Sequence, residues 1–292
     1  MSKRNLKNES LLRLASYFSV ATALLLIGVK LVSFFYTNSL AILSSLMDSG
    51  LDLLASVVNL IAVRQSLIPA DKDHRFGHGK AEALGSLTQG FIIGSSAFFL
   101  LYETWGHIRN PQPLERLDLG LGVMAFSILM TFILISFQRF VIRKTHSVSI
   151  HADSAHYTGD ILMNVGVVTA MIFSYTLGLT WVDSVFAVGV AVYLLLTAGS
   201  VILKASQILM DRELSKEERD QIKKLARNHT EIMCIHDLRT RNAGLRKFIQ
   251  FNAHMKEGLS LEETHAVCSL LEKEINQAIP NSETFIHQEP SA

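Results

Sequence analysis

The stretch that decides the architecture reads Ser44-Ser45-Leu46-Met47-Asp48-Ser49-Gly50-Leu51-Asp52-Leu53-Leu54-Ala55-Ser56. It sits inside a long apolar run, and its two acids are four residues apart. On a helix that spacing puts both carboxylates on one face, about one turn apart. A charged side chain at the centre of a bilayer-spanning helix costs roughly 2.5–3.5 kcal/mol on insertion scales. Two on one face need a partner, and the chain carries no Lys or Arg between Lys30 and Arg64. The pattern calls for a cation that comes and goes.

Composition supports a membrane setting. Of 292 residues 49% are hydrophobic and only 18% charged, against roughly a quarter charged in an ordinary soluble domain. The charge is uneven. Long apolar runs reach to about Lys204, and from Asp211 onward Lys, Arg and Glu are dense. The expected organisation is a short cytoplasmic segment at 1–10, a transmembrane domain at 11–207 and a soluble domain at 208–292. A net charge of +1 gives no bulk field for nucleic acid, and none is expected as a partner. Cys234 and Cys268 lack CxxC spacing, so no disulfide is expected and both are read as small core residues. The basic N-terminus has no small-residue cleavage site after it, so it reads as no signal peptide.

Six windows are long and apolar enough to span: 11–35, 40–63, 83–107, 117–140, 154–177 and 182–204. The third and fifth are the most polar. They carry Glu82, Gln89 and Glu103, and Asp153, His156, Asp160 and Asn164, in or beside the window. Such spans face a bundle interior rather than lipid. Loop lysines and arginines favour one side, from Lys3, Arg4 and Lys7 through Arg64, Lys72, Arg75 and Lys80 to Arg139, Arg143 and Lys144. Both termini are therefore expected in the cytoplasm, in contact with a lipid bilayer crossed six times. Pro111 and Pro113 mark an outer turn. Gly85, Gly90 and Gly94 in the third window, and Gly159 and Gly166 in the fifth, suit close helix packing.

The soluble part has its own rhythm. Ser215-Lys216-Glu217-Glu218 and Ser260-Leu261-Glu262-Glu263 are capping-box starts of two helices. Strands are expected at 232–241, 247–255 and 284–287, the first two split by the turn signal Asn242-Ala243-Gly244. The order α-β-β-α-β predicts two helices on a small, mostly antiparallel sheet.

Asp48 and Asp52 have a counterpart in the fifth window, where His156-Tyr157-Thr158-Gly159-Asp160 repeats the spacing. Three carboxylates and an imidazole can close a four-coordinate site between two helices. Such donors suit Zn²⁺, and Fe²⁺, Mn²⁺ and Co²⁺ accept them, whereas the missing thiolate argues against Cu(I). The bland alternative is a set of structural hydrogen bonds in the bundle core. Asp71, His74 and His78 have ligand spacing in the loop after the second window, against the alternative of an ordinary solvated loop. In the soluble part His236, His265, His287 and Glu289 are candidates, against four unrelated surface residues. No HExxH or comparable catalytic pairing is present, so no enzyme is expected.

These motifs together resemble the cation diffusion facilitator family, and most of all its bacterial branch of zinc and ferrous-iron efflux pumps. The likeness runs from about Leu11 to Pro290. It rests on Ser-Leu-Met-Asp48-Ser-Gly-Leu-Asp52, on the loop from Asp71 to Glu82 with Phe-Gly-His-Gly-Lys at its core, on His156-x-x-x-Asp160, on Asp237-Leu-Arg-Thr-Arg241 and on His287-Gln-Glu-Pro290. The resemblance implies a proton-coupled antiporter for divalent metal ions in the bacterial inner membrane. Zn²⁺ is its implied cargo and structural ion, with Cd²⁺ and Fe²⁺ as further cargo and protons as counter-ion. It implies a homodimer of an α-helical membrane protein with six transmembrane helices and a C-terminal α+β ferredoxin-like cytoplasmic domain. It also implies a transport site at Asp48, Asp52, His156 and Asp160, a loop site at Asp71, His74 and His78, and a cytoplasmic site at His236, His265, His287 and Glu289. Lys80 and Asp211 match an interdomain charge pair. Two positions depart from the branch. Glu289 stands where Asp is usual, and Asn252 stands where a His ligand is usual. His254 lies two residues on, on the same strand face.

Overall fold

The computed structural model describes residues 3–37, 40–109, 118–177 and 181–290. The chain divides into two compact units, Met1–Ser206 and Gln207–Ala292.

Among the described residues the first unit holds six helices, the last of which ends just past its boundary: α1 (Lys3–Thr37), α2 (Leu40–Ser66), α3 (Ala81–Arg109), α4 (Asp118–Thr145), α5 (Val148–Leu177) and α6 (Trp181–Leu209). By length and hydropathy five of them can cross a membrane, over Lys7–Tyr36, Ser45–Ser66, Ala81–Gly106, Gly122–Thr145 and Ser184–Leu209. The sixth, α5, is 30 residues long and carries the acids and the histidine of the most polar window. Helix α1 begins at Lys3, so the segment expected to precede the first span is itself helical. The outer turn expected at Pro111 and Pro113 lies outside the described residues.

Small residues set the helix crossings. A Cβ on Gly85 would collide with the Cβ of Ala62, which brings α3 hard against α2. One on Gly90 would come within 2.6 Å of Ile202 Cγ1, and one on Gly159 within 2.5 Å of Leu194 Cδ2. Both glycines let α6 approach. With no hydrophobic drive between helices in lipid, such close backbone approach is what van der Waals packing needs.

The second unit holds α7 (Lys216–Arg227), β1 (Ile232–Ala243), β2 (Arg246–Met255), α8 (Leu261–Ala278) and β3 (Ser282–Pro290). Both helices open on complete capping boxes, Ser215 with Glu218 and Ser260 with Glu263. Each box satisfies two backbone N–H groups that the first turn leaves without partners. The strand order is β1-β2-β3. The β1–β2 pair is antiparallel, but β2–β3 is parallel, because α8 crosses over between them. This corrects the expectation of a mostly antiparallel sheet. A strand–helix–strand connection returns the chain in the same direction.

One sheet face packs on the helices. Ile222, Ile249, Leu271 and Ile275 are fully buried there with Phe251, Met255 and Cys268. Each fully buried aliphatic chain contributes about 1.5–3 kcal/mol. The other face carries Cys234, His236, Asn252, His254, His287 and Glu289. Their registers are Cys234↔His254, His236↔Asn252, Asn252↔His287 and His254↔Glu289. Cys234 is exposed, not buried as its composition suggested. The reason is a bulge. Ile232 pairs with Met255 and Cys234 with His254, so Met233 is the extra residue. A bulge adds one residue and reverses the inward–outward alternation beyond it.

Candidate metal sites

Helices α2 and α5 bring Asp52, His156 and Asp160 together, with donor atoms all within 4.8 Å of one another. His156 Nε2 lies 3.1 Å from Asp52 Oδ1, and the imidazole is buried. Asp160 Oδ2 is buried with no hydrogen-bond partner among the described residues. A buried carboxylate oxygen left unsatisfied costs free energy unless a ligand completes it. One imidazole and two carboxylates with an open acceptor suit a Zn²⁺-like ion. Asp48 stands one turn before Asp52 on α2, exposed and outside this group of three.

Two residues beyond the predicted set shape this site. Lys30 on α1 donates from Nζ to the Ser45 carbonyl at 3.0 Å and to Ser49 Oγ at 2.6 Å. Its charge acts on Asp52, Asp48 and Asp160. The acids therefore have a basic neighbour after all. It comes from α1, which a search along α2 alone does not find. The other residue is Asp153, one turn before His156 and fully buried. It accepts from Ser19 Oγ at 2.8 Å, Gln138 Nε2 at 2.7 Å and Gln89 Nε2 at 3.2 Å. Ser19 also meets Ser56 Oγ at 2.9 Å, and Ser56 meets Tyr157 Oη at 2.7 Å. One acid thus ties α1, α3 and α4 to α5 just below the imidazole. Its i,i−3 spacing from His156 was the signal in the sequence.

The loop group forms locally. Asp71 Oδ1 accepts the backbone N–H of Asp73 at 3.0 Å and of His74 at 2.6 Å. This Asx turn folds the chain back, so that Asp71, His74 and His78 donors lie within 4.8 Å of one another. Asp71 Oδ2 is 3.4 Å from His78 Nε2, and the two rings stand 4.5 Å apart. The His74 backbone N–H, more than any other group, holds the Asp71 carboxyl below the ordinary carboxylate range.

In the second unit His236 Nε2 lies 3.3 Å from Glu289 Oε2, and His287 Nε2 lies 4.0 Å from Glu289 Oε1. His265 is on α8 beside Ser269 and joins no such group among the described residues. Asp211 adopts a positive φ of 56° and faces Arg241 at 3.4 Å. Lys80 closes the loop in the first unit, its carbonyl accepting the N–H of Ala83 and Leu84.

Two family profiles match this chain: the cation efflux transmembrane domain over residues 16–210 and the cation efflux protein cytoplasmic domain over residues 214–291. The chain belongs to the cation efflux family. Among its relatives is the cation-efflux pump FieF of Shewanella oneidensis, 41% identical over 278 residues, covering 95% of this chain and 94% of the relative. The cation-efflux pump FieF of Yersinia pestis (strain Pestoides F) is 40% identical over 276 residues, covering 94% and 92%. A solved structure, the metal-bound C-terminal domain of the CzcD transporter from Thermotoga maritima, matches 26% of this chain and 94% of that one. Its identity is 21% and its TM-score 0.25, too low to carry a structural argument. As a cation efflux protein the chain is a multi-pass membrane transporter with a dimerisation-type cytoplasmic domain.

Proposed function

We propose that this protein exports divalent transition-metal cations from the cytoplasm in exchange for protons, by alternating access. Zn²⁺ is the main cargo, with Cd²⁺ and Fe²⁺ as further substrates. It works as a homodimer in the bacterial inner membrane with both termini in the cytoplasm. One observation carries the reading: Asp52, His156 and Asp160 meet between two helices of a membrane bundle, with one buried carboxylate oxygen unpaired among the described residues. Asp48 completes the set when α2 shifts toward α5.

The chemistry couples metal to protons directly. Carboxylates and imidazole bind metal only when deprotonated, so each ion that enters releases protons. On the acidic side protons compete for the same atoms and the ion leaves. An ordinary imidazole, with pKa about 6.5, changes charge across this range. The loop group at Asp71, His74 and His78 and the group around Glu289, with His236 and His287, are proposed to hold ions that bias the cycle; His265, apart from that group within this chain, is proposed as a further ligand on the resemblance alone.

Metal uptake into inside-out vesicles, with and without an imposed pH gradient, tests this for Zn²⁺, Cd²⁺, Fe²⁺ and Mn²⁺. Uptake that rises with an opposing proton gradient and favours Zn²⁺ and Cd²⁺ is the expected result. Flux indifferent to the gradient would make the protein a channel, and tight binding without flux would make it a sensor.

A further inference from the structure

The open face of the three-stranded sheet carries a donor set that differs from the one inferred by resemblance. Cys234, His236 and His254 offer a sulfur and two nitrogens, all within 4.8 Å of one another. Glu289 Oε2 approaches both imidazole nitrogens, 3.3 Å from His236 Nε2 and 3.5 Å from His254 Nε2. The rings stack with centroids 4.7 Å apart. We propose that Cys234, His236, His254 and Glu289 form a four-donor, thiolate-containing site for a Zn²⁺-class ion. The proposal deepens the cytoplasmic part of the reading above and is independent of transport.

Three features point the donors at one ion. First, His254 Nδ1 lies 3.1 Å from the Pro290 carbonyl. A carbonyl only accepts, so Nδ1 carries a proton and Nε2 is the nitrogen turned to Glu289 and left to bind an ion. An imidazole N–H held by a carbonyl in this way is how proteins orient a metal-ligating histidine. Second, Asn252 donates from Nδ2 to Glu289 Oε1 at 2.8 Å. This holds the carboxylate so that Oε2 is the oxygen turned to both rings. Asn252 thus positions a ligand and is not one itself. Third, the bulge at Met233 turns Cys234 to the same face. Zinc bonds of about 2.0–2.3 Å put tetrahedral ligand atoms about 3.3–3.8 Å apart. The Cys234, His236 and His254 donors need to close on one another by only about 1 Å, within reach of side-chain rotation, and Glu289 already stands at that spacing from both imidazoles.

The thiolate decides the class of ion. Soft sulfur with two imidazoles selects Zn²⁺ and Cd²⁺ over Mn²⁺ and Mg²⁺. Binding releases the Cys234 thiol proton to solvent. His287 has its side chain 63% exposed and its Nε2 4.0 Å from the other oxygen of Glu289. It stands at the margin of this set.

The test uses the full-length protein in detergent with a non-thiol reductant, titrated with Cd²⁺ and Co²⁺. The readout is the ultraviolet thiolate-to-metal charge-transfer band. The wild type should show the band, Cys234→Ser should lose it, and Cys268→Ala, altered at the buried core cysteine, should keep it. His254→Ala should weaken Zn²⁺ binding at this site at least tenfold in competition with a chromophoric chelator. Vesicle flux is measured on the same variants. Flux without the band in the wild type overturns this site and leaves the transport reading standing. The band without flux does the reverse. A band that survives in Cys234→Ser overturns the site as well.

Discussion

Lys30 Nζ donates to Ser49 Oγ at 2.6 Å, which fixes an ammonium group one residue from Asp48. Two apolar helices therefore meet with a cation on one and acids on the other. The ammonium partly neutralises the carboxylates, and it would repel a divalent ion at the proposed transport site. Lys30→Met should tighten Zn²⁺ binding at the transmembrane site by at least about tenfold, or ~1.4 kcal/mol, a conservative figure beside the about 4 kcal/mol that one unit charge exerts at 4 Å with an effective dielectric constant near 20. It should also slow proton-driven release. Chelator competition in a Cys234→Ser background measures the first effect and vesicle efflux the second. Unchanged affinity would remove Lys30 from the site.

Asp52 and Asp160 face one imidazole from two helices, so neither can be replaced by its partner. Asp52→Ala should abolish metal-dependent proton movement in reconstituted vesicles. Asp160→Asn keeps shape and loses charge, and should lower Zn²⁺ flux at least about a hundredfold, as expected when a charged ligand becomes a neutral amide. Wild-type rates in either variant would sink the transport-site assignment.

Asp153 accepts three donors from three other helices. Asp153→Asn turns one acceptor oxygen into a donor that faces other donors. An unsatisfied buried polar group costs about 1–3 kcal/mol. The unfolding midpoint of the purified protein should fall by several degrees, even with the metal ligands intact. An unshifted midpoint would show that the network can rearrange.

Gly85 and Gly159 both pack closely but meet different neighbours. The atom beyond Gly85 is a Cβ of Ala62, fixed to its backbone, and the atom beyond Gly159 is the flexible end of Leu194. Gly85→Ala should destabilise the membrane unit by about 1–3 kcal/mol, the usual cost of overpacking. Gly159→Ala should cost clearly less, because Leu194 can change rotamer. Thermal unfolding of both variants orders them, and the reverse order would contradict the packing described.

Asp71 turns the loop, and in the proposed loop site it also offers a ligand. Asp71→Asn keeps an oxygen for the N–H of Asp73 and His74, whereas Asp71→Ala keeps none. Amide exchange over residues 71–78 should stay slow in the first variant and quicken in the second. Both should lose metal at the loop. The Asp71 carboxyl sits below its ordinary range when folded. Its contribution to the turn is thus complete above the unfolded carboxylate pKa of about 3.9 and is lost only as pH falls through its lower folded value. Exchange that quickens well above that value would point to another group.

Local chemistry made much of this protein readable in advance. The i,i+4 pairs Asp48/Asp52 and His156/Asp160, the capping boxes at Ser215 and Ser260, and the small residues of α3 follow from helix period and backbone hydrogen bonding. These rules act within a few residues, so the amino-acid order states them directly. The meeting of Lys30 with Ser45 and Ser49, the three donors on Asp153 and the parallel β2–β3 pair involve residues distant in the chain. No local period encodes which helix faces which. The exposed Cys234 is the sharpest case. Simple alternation puts it on the inward face with Ile232, and one extra residue at Met233 reverses it. A bulge depends on the partner strand as much as on its own. That is why the sequence alone determined which donors this chain owns, and only the tertiary structure decided which of them meet.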